Sequence, residues 1–350
     1  MSKIRKSVLA MQGYVPGRQP KGSFVKLNAN ENPYPPSPKA LEALGQMTGD
    51  KVRLYPSSSA EELRKAAAEV FGVPFDCIVA GNGSDDIFTM IIRSILDEGD
   101  TLAVVDPTYA LYETLAEIQG AKTERHPLAE DYALPESFFE SGAKLKILPN
   151  PNAQTGTLFP EADIIRLCES AQGIVVIDEA YALFAGTSSV PLLKRFKNLV
   201  VTRTMSKSHS LAGMRVGFGM SSPEIIEAFM KVKDSYNLNA ASQLMAAAAI
   251  KDTEYTAGVV AKLNETRNFF AKELVSLGWQ VAPSHGNFLL AKPEKGSAAE
   301  IVDYLEKEGY LVRHFETPRL KDKIRFSIGT KEQMERLIEL LKKYHSEVRA

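Results

Sequence analysis

The chain has 350 residues, 44% of them hydrophobic, which is ordinary for a globular protein and at this length enough to fill two cores. Its 42 Lys and Arg against 43 Asp and Glu leave a formal net charge of −1, so no global field favours nucleic acid or an anionic membrane. Apolar runs such as 244–250 fall far short of the roughly 20 residues of a membrane helix, and the stretch 8–11 after Lys3, Arg5 and Lys6 is too short for a signal-peptide core, so a soluble protein acting on small molecules is expected.

Residues 1–37 are rich in Gly and Pro (Pro16, Gly17, Pro20, Gly22, Pro33, Pro35, Pro36) and read as an extended arm that lies over a neighbour. From residue 38 helical and strand patterns alternate, the signature of βα units around a mostly parallel sheet, and 38–240 is expected to form a large domain. Leu63, Ala67 and Val70 recur at helical spacing over 61–71, with Ser58 and Ser59 as candidate caps. A short strand at 77–80 runs into Gly81-Asn82-Gly83-Ser84-Asp85-Asp86, which opens a second helix with Ile87, Met90, Ile91 and Ile95 on one face. Further strands are predicted at 101–105, 144–148, 174–177, 199–202 and 216–220. A long helical stretch begins near 223 and is punctuated at Tyr236 and Asn237. Strands at 287–291 and 323–327 and a terminal helix from Lys331 then make a second, smaller α+β domain, 241–350.

The polar residues cluster at the ends of these strands. The apolar run Ile174-Val175-Val176-Ile177 ends in Asp178-Glu179-Ala180-Tyr181, and Leu199-Val200-Val201 leads into Thr204-Met205-Ser206-Lys207. An apolar strand that ends in a carboxylate places it at the C-terminal edge of the sheet, where open α/β sheets bind ligands. A lysine amine to condense with an aldehyde and a carboxylate for a pyridinium nitrogen are the two groups that pyridoxal phosphate chemistry requires of a protein, and Lys207 and Asp178 are candidates for them. The loop 81–86 has the strand, glycine turn and helix N-terminus of a phosphate site, with Ser84 and Asp85 in the first turn, and it also reads as an ordinary capped helix. Tyr109, after the strand ending at Val105, is placed to stack on a ring, and Asn152, in Asn150-Pro151-Asn152-Ala153-Gln154-Thr155-Gly156, suits either a turn or a hydrogen bond to the ring's phenolate oxygen alongside Tyr181. Ser206 and Arg215 could reach a phosphate, and Arg325, alternating with Ile324 and Phe326, could grip a carboxylate or phosphate.

Taken in order, Asn28-Ala29-Asn30-Glu31-Asn32-Pro33, Arg53-Leu54-Tyr55-Pro56, the 81–86 loop, Asp178-Glu179-Ala180-Tyr181, 204–215 and Ile324-Arg325-Phe326-Ser327-Ile328-Gly329-Thr330 resemble the fold-type I pyridoxal phosphate aminotransferases, and among them are similar to the histidinol-phosphate aminotransferases. The resemblance covers nearly the whole chain. It implies a fold-type I α/β architecture, a homodimer and transamination between histidinol phosphate and 2-oxoglutarate. Lys207 would bond the cofactor aldehyde, Asp178 pair with its ring nitrogen, Tyr109 stack and Tyr181 contact the phenolate oxygen. Ser84, Asp85, Ser206 and Arg215 would hold the phosphate, Tyr55 would reach the neighbouring subunit's cofactor, and Arg325, Tyr14 and Asn30 would line the substrate pocket. The chain departs from the family's two asparagines followed by Pro-Thr-Gly: Ala153 stands where the family's phenolate asparagine is found, which leaves Asn152 or Tyr181 alone for that task.

An aromatic aminotransferase or a threonine-phosphate decarboxylase would share Lys207, Asp178 and Tyr181, and a nucleotide-binding regulatory protein could use the 81–86 loop without any lysine chemistry. Cys77 and Cys168 match no metal-ligand or redox spacing and fit a reducing cytoplasm.

Overall fold

A computed structural model describes residues 3–14, 17–19 and 21–347. Residues 1, 2, 15, 16 and 20 of the expected arm, including Pro16 and Pro20, and residues 348–350 lie outside the described residues. Among the described residues twelve strands run in chain order: β1 Val25–Leu27, β2 Ile78–Asn82, β3 Thr101–Asp106, β4 Lys122–Pro127, β5 Leu145–Pro149, β6 Ile174–Asp178, β7 Leu199–Thr204, β8 Val216–Met220, β9 Gln280–Val281, β10 Phe288–Lys292, β11 Tyr310–His314 and β12 Ile324–Ser327.

Seven of them form one sheet in the order β2-β8-β7-β6-β5-β3-β4, and all its pairings are parallel except those made by β8. The apolar runs decide this. Strands β5 and β7 are buried along their whole length and β3 and β6 over most of theirs, as parallel strands covered on both faces must be. Helix Ser84–Ile95 lays Ile87, Phe88, Met90, Ile91 and Ile92 into the core. Because β2, β3, β5, β6 and β7 point one way and β8 the other, the C-terminal ends of the five and the start of β8 share one edge. Asn82 faces Val216, Pro149 faces Asp178, and Asp178 faces Thr202 across that edge.

The second sheet has the order β1-β11-β12-β10-β9 and packs with helix Thr253–Ser276 and the terminal helix Lys331–Glu347 around Phe270, Phe288, Trp279, Phe326 and Leu341. Two details differ from the sequence reading. The expected arm is not extended throughout: Lys6–Ala10 is a short helix, while Val25–Leu27 pairs in parallel with Tyr310–Val312 and completes the small sheet. Helix Ala240–Lys251 follows the boundary placed at 240 yet buries Met245, Ala246, Ala249 and Ile250 in the core of the large domain, against helices Pro38–Leu44 and Glu61–Phe71. Its apolar face thus belongs to the first core, whereas helix Thr253–Ser276 packs in the second.

Candidate active site

Lys207 lies three residues beyond the end of β7, at the shared edge, and its Nζ donates to the Ala29 carbonyl at 2.9 Å while Asn32 Nδ2 donates to the Lys207 carbonyl at 2.9 Å. The N-terminal segment 28–32 thus closes over the lysine. Asn30 is held there in the left-handed region, φ 53°, by bonds from its N–H to Ser327 Oγ and from Asn287 Nδ2 to its carbonyl. The Lys207 side chain is partly exposed, yet its surroundings are dense enough that burial pushes the amine down to about 8, with the Arg325 charge acting in the same direction.

Asp178 ends β6, is 4% exposed, and accepts from Tyr112 Oη at 2.5 Å, Thr202 Oγ1 at 3.1 Å and the Ala180 N–H at 3.1 Å. No lysine, arginine or histidine among the described residues pairs with it. Burial outweighs the three hydrogen bonds and raises its carboxyl to about 6. A buried carboxylate that lacks a protein cation fits a ligand that brings one, and a protonated ring nitrogen is such a group.

The loop after β2 forms a cup. Gly83 has φ 84°, and a Cβ there would lie 2.4 Å from Arg215 Nη2; a Cβ on Gly217 would lie 2.5 Å from both the Gly83 carbonyl carbon and the Ser84 nitrogen. Both positions require glycine so that β8 and the start of helix Ser84–Ile95 can approach. The helix N-terminus supplies free N–H groups and a partial positive charge. Arg215, itself at φ 53°, points into the cup, with Nη2 3.1 Å from Asp85 Oδ2 and Nη1 3.4 Å from Ser206 Oγ. The Arg215–Asp85 pair is over 40% exposed on both sides, so it holds the arginine loosely and leaves it able to turn to an anion. These residues fit a phosphate.

Tyr109 donates to Asp85 Oδ1 at 3.3 Å and stands edge-on between Tyr14 and Tyr112, with ring centroids 5.6 and 5.5 Å away. Tyr181 is buried, accepts from Asn30 Nδ2 at 2.9 Å, and burial raises its hydroxyl above the usual tyrosine range. Asn152, read from sequence as either a turn residue or a ring contact, uses its side chain within the loop. Its Oδ1 accepts from the Gln154 and Thr155 N–H groups at 2.9 and 3.0 Å, and its Nδ2 donates to the Pro107 carbonyl at 3.0 Å. Tyr55 is 80% exposed and stacks on Tyr236 at 4.3 Å, outside the pocket of its own chain.

Arg325 on β12 is buried, donates from Nη1 to the Ala153 carbonyl at 3.0 Å and to Gln154 Oε1 at 2.9 Å, and has no carboxylate partner among the described residues. Its guanidinium also lies over Phe288 and Phe315, each 5.3 Å from the ring centre. Four functional neighbours escaped the sequence reading. Tyr112 and Thr202 hold Asp178, and Gln154 contacts Arg325. Arg313 of β11 pairs in register with Arg325; its guanidinium lies over the Phe315 ring at 5.1 Å and, among the described residues, its side chain makes no hydrogen bond or ion pair. Two like charges opposite one another on adjacent strands are unfavourable unless an anion joins them. Tyr112 lies three residues after Tyr109, a spacing the sequence displays; Thr202 and Arg313 are legible only once strand register is known, and Gln154 only once its loop is packed on β12.

Residues 23–341 match the family model described as aminotransferase class I and II. A histidinol-phosphate aminotransferase of Geotalea daltonii is 44% identical over 340 residues, covering 97% of this chain and 98% of the relative. One of Syntrophotalea carbinolica is 43% identical over 343 residues, covering 97% and 99%. The crystal structure of histidinol-phosphate aminotransferase from Sinorhizobium meliloti in complex with pyridoxal-5'-phosphate shares the fold with TM-score 0.88 at 24% identity, over 98% of this chain and 99% of that one.

Proposed function

We propose that this chain, which belongs to the aminotransferase class I and II family, is a pyridoxal phosphate-dependent transaminase that exchanges an amine between histidinol phosphate and 2-oxoglutarate in histidine biosynthesis. The observation that carries the chemistry is the convergence, at one sheet edge, of the Lys207 amine, the unpaired Asp178 carboxylate and the glycine-lined cup of Ser84, Asp85, Ser206 and Arg215. The near full-length identity of 43–44% to histidinol-phosphate aminotransferases supports the substrate.

Ser84, Asp85, Ser206 and Arg215 would hold the cofactor phosphate, Asp178 its ring nitrogen, Tyr181 its phenolate oxygen and Lys207 its aldehyde carbon. When bound, the group supplies an electron sink for the carbanion formed at the substrate's amine-bearing carbon. The chain supplies the rest. Asp178, kept dry and aligned by Tyr112 and Thr202, keeps a facing cation protonated. Lys207 Nζ, with its affinity for protons lowered by burial, would take the proton from the substrate's amine-bearing carbon and deliver it to the carbon of the cofactor's aldehyde, which moves the amine from one to the other. The segment 28–32 covers the amine and limits the access of water.

One pocket must take glutamate in one half of the reaction and a phosphate ester in the other. Arg325 suits both because a guanidinium grips either anion with two parallel N–H bonds, and the unpaired Arg313 beside it favours the doubly charged phosphate. Tyr14, edge-on to Tyr109, and Asn30, bonded to Tyr181, lie beside the same pocket. A homodimer in the cytoplasm is the state we assign, supported by the exposed Tyr55–Tyr236 stack and by two free cysteines, Cys77 and Cys168. The test is a panel of amine donors to 2-oxoglutarate: histidinol phosphate, phenylalanine, tyrosine and threonine phosphate. Histidinol phosphate should give the highest kcat/KM, and a higher value for phenylalanine or tyrosine, or release of carbon dioxide from threonine phosphate, would replace this assignment.

A further inference from the structure

The short hydrogen bonds of Arg325 are all made at Nη1. The bonds to the Ala153 carbonyl and to Gln154 Oε1 occupy both hydrogens of Nη1. Nη2 makes one long bond, 3.4 Å, to the Asn28 carbonyl, and the buried Nε has no partner. In a planar guanidinium, Nε–H and one Nη2–H point the same way and form an edge that matches two oxygens of a carboxylate or phosphate.

Gln154 is 8% exposed and fixed at three points. Its N–H donates to Asn152 Oδ1 at 2.9 Å, its Nε2 to the Thr108 carbonyl at 3.2 Å, and its Oε1 accepts from Arg325. Chemistry sets the direction of the amide, because turning it over would press NH2 against the guanidinium and carbonyl against carbonyl. One side chain therefore bridges the segment that carries Tyr109 in the large domain to the arginine of β12 in the small one.

We propose that Gln154 is a positioning residue that sets affinity for the substrate's anionic group by clamping Nη1 of Arg325 and presenting its Nε and Nη2 edge. Being neutral, the amide orients the arginine without cancelling its charge. A carboxylate at the same position would hold the guanidinium as well, but would compete with the substrate for it. This rests on the assignment of Arg325 as the anion-binding residue made above.

Three variants of the holoenzyme test it: Gln154→Met, of similar length but with no acceptor; Gln154→Glu, which keeps the acceptor and adds a charge; and Arg325→Ala. Gln154→Met should raise KM for both histidinol phosphate and 2-oxoglutarate about tenfold, as loss of a hydrogen bond to a charged group does, with kcat within about twofold of wild type. Gln154→Glu should raise both by roughly a further tenfold through charge cancellation. Absorbance of the bound cofactor, and the single-turnover rate of amine transfer from histidinol, which lacks the phosphate, to the bound cofactor without 2-oxoglutarate, should not change. Unchanged KM in Gln154→Met, wild-type affinity in Gln154→Glu, or a histidinol rate that falls in parallel would each overturn the clamp. If Arg325→Ala raises both KM values while the Gln154 variants do not, only the clamp fails; if Arg325→Ala leaves both unchanged, the anion site itself is misplaced.

Discussion

Replacing Asp178 by asparagine should make the cofactor-free protein more stable at neutral pH, although it damages the enzyme. The carboxyl is buried without a cation and its pKa stands at about 6 against 3.8 for a free aspartate. At about 1.4 kcal/mol per pH unit, ionising it inside the fold costs roughly 3 kcal/mol at pH 7 relative to ionising it in the unfolded chain. The folded pKa is the higher one, so wild-type stability is full below about pH 4, falls as pH rises to 6, and is constant above. The asparagine variant has no such dependence at this site. Its geometry is tolerable: Oδ1 can still accept from Thr202 and the Ala180 N–H, and the Tyr112 hydroxyl can turn to accept from the new amide. Equilibrium unfolding of the cofactor-free proteins should therefore show the variant ahead by up to about 3 kcal/mol at pH 7, with the gap closing towards pH 4. Added pyridoxal phosphate should reverse the order, because binding to the folded state stabilises it in proportion to affinity and only the aspartate gains a charge partner. No gain at pH 7, or a gap of the same size at both pH values, would refute the account of Asp178 as a carboxylate waiting for a cation.

Lys207→Ala should abolish transamination while the far-ultraviolet circular dichroism stays that of the wild type; residual turnover at the wild-type rate would remove the lysine from the chemistry. Since burial lowers its amine to about 8, capture of pyridoxal phosphate by the cofactor-free protein should speed up as pH rises from 7 to 9, where the neutral fraction goes from roughly a tenth to nine-tenths. A rate that climbs only near the ordinary lysine value would show that the amine is not buried as described. Tyr55→Phe should weaken cofactor retention, but only in a preparation that sediments as a dimer, because the ring lies on the surface of its own chain; equal retention in mutant and wild-type dimers would count against a contact across the interface.

Much of the site is local in sequence and could be read there. Apolar β-branched runs such as 174–177 and 199–202 must be buried on both faces of a parallel sheet, so the polar residues at their ends, Asp178 and Ser206-Lys207, are delivered to one edge without knowledge of the pairing. The 81–86 loop is equally local as a glycine turn before a helix, although the cup is completed by Arg215 and Gly217, which the antiparallel pairing of β8 brings beside it. Edge strand β4, Lys-Thr-Glu-Arg-His-Pro, was not legible, because an exposed strand has no alternation of apolar residues to announce it and is formed by pairing with β3.

What the chain order of residues determined by itself is therefore the fold class and the delivery of Lys207, Asp178 and the 81–86 loop to one sheet edge. Tertiary structure decided which groups surround them. Tyr112 reaches Asp178 across 66 positions and Gln154 reaches Arg325 across 171, while Arg313 stands opposite Arg325 only in the register that β11 and β12 adopt. Backbone preference acts over a few neighbouring residues, whereas strand register and the packing of one domain on the other are set by the burial of whole faces.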